Sequence, residues 1–342
     1  MAEISIYTLA KELNMTPSMV SRAFNPSAKI CDEKRKIVLA AAKKYNFSPN
    51  KLASRLSMKA VRIGILINGK FKKNIDKMIA GIKTAHEELK DYKIKYDITI
   101  LNPLVNAHED FCQTLERYKS YDGIILSGMS ADNYTELINE LYSHNRNIVQ
   151  VQAINQCASH LFASKHDEKT ASALAAEFLY DCLKKSDRKN VLLFTGDLKS
   201  NLHLNASETF KDSCKELGLN LLSVVDMEDS EEKLDKILPD VFKLWDNKID
   251  GIYITSGLSA PLCRYLEENA LDIPFVAFDT YDEIKAYMKK GVISATISQN
   301  VANQMKVAFE TLVKHLSTGT ECPKNVYTDV QLVLRSNIHQ FN

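Results

Sequence analysis

The sequence predicts a small three-helix head of the helix-turn-helix type, followed by a larger α/β body built on two parallel sheets. Three observations carry this. Apolar residues recur at helical spacing in three short runs before residue 47. From residue 61 short apolar runs alternate with amphipathic stretches almost to the end. A chain of 342 residues exceeds what one hydrophobic core usually organises, and its 45% hydrophobic residues suffice for two or three cores.

Charge divides the chain at the same place. Residues 1–60 hold eleven Lys/Arg against four Asp/Glu, a surplus of +7, while the remainder is slightly acidic, so the whole carries only +1. A basic module on a near-neutral chain is the electrostatic footprint of a phosphate backbone. No apolar run approaches the roughly 18 residues of a membrane span, and the amphipathic start MAEISIYTLAKEL is unlike a signal peptide, so a cytoplasmic protein is expected. The seven cysteines (31, 112, 157, 182, 214, 263, 322) form no CxxC pair and join no histidine cluster, which argues against a disulfide framework and a zinc site. No P-loop, GxGxxG, GxSxG or HExxH occurs, so neither an enzyme nor a cofactor is expected, and no metal.

In the head, Ile6, Leu9, Ala10 and Leu13 give the first helix one apolar face. Asn14 and Met15 break it, Thr16 is placed to cap a second helix, and Pro17 takes a first-turn position that tolerates proline. That helix turns Met19, Val20 and Ala23 or Phe24 inward and leaves Thr16, Ser18, Ser21 and Arg22 outward. A third, Asp32 to Tyr45, is expected to bury Ile37, Val38, Ala41 and Ala42. The outward face of the second helix in such a motif is what enters a major groove. In the segment 48–57, Pro49 ends what precedes it and Asn50 caps a two-turn helix with Ala53 and Leu56 on one side. A helix this short is not stable alone.

The body opens with Val61 to Ile67, nearly continuous in apolar residues, and a helix through Ile75, Met78, Ile82 and Ala85. Strands follow near 96–101, 123–126 and 148–151, and another apolar run at 161–163. Then come helix 167–184, strand 190–194, helix 207–217, strand 219–225, helix 230–245, strand 251–254, helix 259–270 and strand 273–278, with a last strand at 330–334. Such alternation means parallel sheets covered on both faces.

The run TLAKELNMTPSMVSRAFN resembles the head of the lactose/galactose repressor (LacI/GalR) family, with Val20, Ser21, Arg22 and Asn25 on its pattern. The resemblance gives Pro17 and Ser18 the base-reading places and Arg22 the place that contacts guanine. It gives Tyr7, Thr16, Ser21 and Asn25 backbone places. Arginine geometry suits the bidentate contact to guanine O6 and N7. Segment 48–57 is similar to that family's "pN..Ar.L" hinge, which pairs with its dimer mate in the minor groove. The match makes Asn50 its cap, Ala53 the small close-approach residue and Leu56 the wedge between base steps.

The body resembles the same family and the periplasmic sugar-binding proteins at Tyr121 to Leu126 (YDGIIL), Pro274 to Asp279 (PFVAFD) and Gly291 to Gln299. The resemblance implies two Rossmann-like lobes joined by three crossovers and a ligand cleft beyond the strand carboxyl ends. It divides the chain into a DNA-binding head (1–47), a hinge and linker (48–60) and a ligand-binding, dimerising body (61–342). In the body, lobe 1 is about 61–160 plus 293–322, and lobe 2 about 161–292 plus 323–342. Asp279, just past a strand, stands where relatives accept hydrogen bonds from a sugar hydroxyl. By the same placement Phe71, Lys72 and Asn74 follow the first strand, Asn205 opens a helix, Thr255 follows another strand and Gln299 begins the return. Ala206 stands where many relatives carry a ligand-gripping arginine, so a changed ligand is expected.

The function these readings imply is a homodimeric, DNA-binding transcriptional regulator, a repressor, with double-stranded operator DNA and a small effector as partners. The effector is a sugar or related metabolite. No leucine heptad follows the last strand, which favours a dimer. The alternative is a small-molecule sensor whose helical head binds a protein.

Overall fold

The computed structural model describes residues 5–24, 28, 30–45, 47, 60–69, 72–102 and 107–341. The expected hinge with Asn50, Ala53 and Leu56, and the candidates Asn25 and Phe71, lie outside the described residues.

Three helices make the head: α1 (Ile6–Glu12), α2 (Pro17–Ala23) and α3 (Asp32–Lys44). Ser5 and Thr16 cap the first two by accepting from the backbone N–H of Thr8 and Met19. Leu9, Ala10, Val20, Ala23, Val38 and Ala42 form a small core of their own. Arg35 donates from α3 to the carbonyls of Ala23 and Ala28, which ties α3 to the end of α2. Ile37 departs from expectation, with 50% of its surface exposed. Val38 and Ala42 share one helical row, and a head this small has only that narrow stripe to cover.

The body follows as β1 (Val61–Asn68), α4 (Lys72–Glu88), β2 (Ile94–Leu101), α5 (Ala107–Tyr118), β3 (Gly123–Ser127), α6 (Thr135–His144), β4 (Ile148–Val151) and β5 (Phe162–His166). After these come α7 (Glu168–Leu183), β6 (Asn190–Thr195), α8 (Asn201–Leu217), β7 (Asn220–Asp226), α9 (Glu231–Leu244), β8 (Gly251–Ile254), α10 (Ser259–Glu268), β9 (Phe275–Phe278) and α11 (Asp282–Lys290). The chain ends with β10 (Ala295–Ser298), α12 (Val301–Thr318), β11 (Asn325–Thr328) and β12 (Gln331–Val333).

Two six-stranded sheets result, in the orders β11-β5-β4-β3-β1-β2 and β12-β10-β9-β8-β6-β7. Strand pairs are parallel apart from β10 with β12. Central strands such as β3, β4, β8 and β9 are buried along their whole length, which is why they read as unbroken apolar runs, whereas the edge strands β2 and β7 are half-exposed. Each sheet has helices on both faces: α4 and α12 cover one face of the first, α5 and α6 the other, and α7 with α8 cover one face of the second.

The chain crosses between sheets three times, at residues 166–168, 298–301 and 328–331. Each crossing falls about six residues later than the sequence suggests. The first sheet keeps β5 and β11, which pair with each other and, through β5, with β4, while β10 lies in the second. A strand leaves its sheet only after completing its ladder, so each crossing sits at a carboxyl end. That places all three beside the cleft.

Candidate functional site

In both sheets the strand order reverses once, between β1 and β3 in the first and between β6 and β8 in the second. Side chains beyond the carboxyl ends at such switch points face a natural crevice. Asn74, Ser127, Thr195 and Thr255 all lie there, and all are buried.

Asp279 follows β9 in a left-handed backbone conformation, φ 72°, which is uncommon for a residue with a side chain. The bonds of β10 enforce it: the Asp279 N–H donates to the Ile297 carbonyl at 2.8 Å, and Thr296 donates to the Asp279 carbonyl at 2.6 Å. Gln152 after β4 (φ 67°) and Asn300 after β10 (φ 49°), each just past a strand's carboxyl end, share this conformation. The Asp279 carboxylate accepts from Gln299 Nε2 at 2.9 Å and from the Tyr281 hydroxyl at 2.9 Å. Burial raises its pKa, and the bonds from Gln299 and Tyr281 with the charge of Lys77 only partly offset this.

These groups meet partners from the other lobe. The Tyr281 hydroxyl lies 2.8 Å from Asn74 Oδ1, and Lys77 Nζ donates to the carbonyl and hydroxyl of Thr280, each at 3.4 Å. Asn74 and Lys77 are one turn apart on α4, hence on one face. Burial lowers the Lys77 pKa against the pull of Asp279. Gly257 lets these groups approach closely, since a Cβ on it would stand 3.1 Å from both the Tyr281 ring and Asp279 Oδ2.

A second polar cluster sits wholly in the second lobe. His203 lies between Thr255 Oγ1 (Nδ1, 3.0 Å) and Asp229 Oδ2 (Nε2, 3.3 Å). Ser256 donates to Asp229 Oδ1, and Thr195 bridges Thr255 and Ser207. Burial pushes the Asp229 pKa upward, but its bonds from His203, Asp197 and Ser256 hold it below the ordinary carboxylate value. His166, at the first crossing, packs its ring 5.6 Å from that of Phe278, and its Nδ1 has no hydrogen-bond partner among the described residues.

Of the expected ligand residues, the structure brings Asn74, Asp279 and Gln299 together and places Thr255 in the neighbouring cluster. Lys72 is exposed at the start of α4. Asn205 opens no helix: α8 begins at Asn201, so Asn205 is half-buried in its second turn. The helix starts early because His203, Ala206, Ser207 and Phe210 already form its inward stripe, a polar start that hides the period. Tyr281, Lys77, His203 and Asp229 join the site beyond the residues expected from the sequence. Lys77 was legible as Asn74's neighbour one turn on, whereas the His203–Asp229 pair carries no local signal. In the head, Tyr7, Thr16, Ser18, Ser21 and Arg22 are exposed and Pro17 is half-buried.

A cavity of about 210 Å³ adjoins Asp279 and is lined by Asn74, Lys77, Thr280, Ser298 and Asn300 among others. A larger open recess of about 610 Å³ lies at the amino ends of β1 and β2, around Arg62, His86 and Asp97, opposite the switch point. Position favours the smaller one, since open parallel sheets take ligands at their carboxyl ends. Among the described residues no cluster of metal-ligating side chains occurs, and no helix is long and apolar enough to cross a membrane.

Fold and cleft together define a two-lobed binding protein. The sequence profile of the periplasmic binding protein domain matches residues 65–321, and the chain belongs to that family. Among curated proteins it is similar to the ribose operon repressor of Haemophilus influenzae, 23% identical over 342 residues that cover 97% of each chain. It is also similar to catabolite control protein A of Priestia megaterium, 24% identical over 287 residues, covering 79% of this chain and 80% of that protein. Among solved structures, the periplasmic ribose ABC transporter of Conexibacter woesei superposes with a TM-score of 0.72 at 15% identity, covering 83% of this chain and 95% of the other. That last likeness is one of fold.

Proposed function

We propose that the chain is a sequence-specific DNA-binding regulator of the LacI/GalR type, a homodimeric repressor whose operator affinity is set by a small sugar or related metabolite held between the lobes. In this reading residues 1–47 bind DNA, 48–60 form the hinge, and 61–342 bind ligand and dimerise. The observation that carries it is the packing of α2. Val20 and Ala23 are buried in the head's core, while Ser18, Ser21 and Arg22 are exposed on a strongly basic module. That is the arrangement a recognition helix needs, and the similarity to a repressor over 97% of both chains, head included, supports it. A cavity of about 210 Å³ beside Asp279 is smaller than the roughly 300–1,000 Å³ of drug-sized sites and suits a ligand of monosaccharide size.

The test is selection of duplexes from a random library by the full chain. Enrichment of a two-fold symmetric site is expected, lost on deletion of residues 1–58. Binding without sequence preference refutes the sequence-specific reading, and absence of DNA binding leaves the head to a protein partner. A thermal-shift screen of sugars, polyols and nucleobases addresses the cleft, and Asp279→Ala abolishes any shift found.

A further inference from the structure

Tyr281 and Asn74 belong to opposite lobes and stand 207 residues apart in sequence, yet their side chains meet at 2.8 Å. The phenol also lies 2.9 Å from Asp279 Oδ2. A tyrosine hydroxyl has one hydrogen, so it donates to one acceptor only. The carboxylate takes that hydrogen as the stronger acceptor, and the Asn74 amide, turned end over end, meets the phenol oxygen with its NH2 group. With Gln299 on Oδ1, both Asp279 oxygens then have protein donors. Beside this contact Lys77 reaches across from the first lobe to Thr280, and its ammonium stands 5.6 Å from the centre of the Tyr281 ring. The ring itself is seated against Gly257, where no side chain competes with it.

We propose that Tyr281 is a built-in clasp: its contact with Asn74 holds the two lobes together, while its hydroxyl occupies the place on Asp279 that a ligand hydroxyl would take. A ligand that uses Asp279 must then take the place of the phenol, so its entry and the release of the Tyr281–Asn74 contact are one event. The affinity of such a ligand is lowered by the population of the clasped state. The proposal rests on the reading of Asp279 as a ligand-facing acid, but the clasp itself is measurable without any ligand.

The experiment is hydrogen exchange followed by mass spectrometry on the full chain, purified without added sugar, for the wild type, Tyr281→Phe and Asn74→Ala. Loss of one net hydrogen bond corresponds to roughly a two- to tenfold change in an opening equilibrium. Each variant is therefore expected to speed exchange by that factor in both residues 72–80 and residues 279–285, although the substitution lies in only one of them. Exchange in β3 and β6 reports that the fold is intact, and the two variants sit in different lobes, so collapse of one leaves the other to decide. Unchanged exchange, or acceleration confined to the substituted segment, overturns the clasp. The outcome is independent of the sugar screen: a screen without hits counts against the ligand reading alone, and a hit with unchanged exchange counts against the clasp alone.

Discussion

Gly81 offers a sharp test of how α4 is seated. It lies where α4 crosses α12, and a Cβ added there would stand 2.1 Å from the Ala302 carbonyl oxygen and 2.9 Å from its carbon. Non-bonded carbon contacts are comfortable only near about 3.5 Å, so Gly81→Ala forces the two helix backbones apart by roughly 1 Å. Two effects oppose each other. Alanine is favoured over glycine in a helix interior by about 1 kcal/mol, whereas overpacking a filled site costs about 1–3 kcal/mol. The obstacle is a backbone carbonyl that cannot rotate away, and Met78, Ile82, Met305 and Phe309 fill the same core, so the upper part of that range applies and the net loss is about 1–2 kcal/mol. Urea unfolding of the full chain measures it, and a melting temperature lower by a few degrees accompanies it. A Gly81→Ala protein as stable as the wild type, or more so, refutes the packing. Because Asn74 and Lys77 lie on the same helix within two turns, the displacement also weakens the contacts to Tyr281 and Thr280.

His166 predicts a pH dependence. Burial lowers its pKa from 6.5 to about 4. As pH falls, the unfolded chain takes up the proton first, so this contribution to stability is complete above about pH 6.5 and is lost between there and about pH 4. The total is about 3 kcal/mol by linkage. His166→Gln flattens that slope in urea unfolding between pH 7 and pH 4.5, and a slope parallel to wild type contradicts the burial of a neutral imidazole. For the head, Arg22→Ala relaxes preference at one base pair by about 1–3 kcal/mol of discrimination. Uniformly weaker binding with unchanged preference places Arg22 on the phosphates instead.

The sequence by itself determined the alternation of strands and helices, the division between basic head and α/β body, and the placing of Asp279 past a strand end. These are local matters: central parallel strands are apolar on both faces, helices are apolar on one, and a residue's distance from a strand end is read along the chain. Tertiary structure decided the rest. Whether β5, β10 and β11 belong to the first or second sheet depends on which ladder they complete, and a four- or five-residue apolar run carries no mark of its partner. Ile37 is exposed because the head has room for only one helical row. Asn74 meets Tyr281 because two sheets turn their carboxyl ends toward a common cleft, and His203 meets Asp229 because neighbouring strands of the second sheet bring their loops together at one end; hydrogen bonds select such pairs by geometry, which spacing along the chain does not encode.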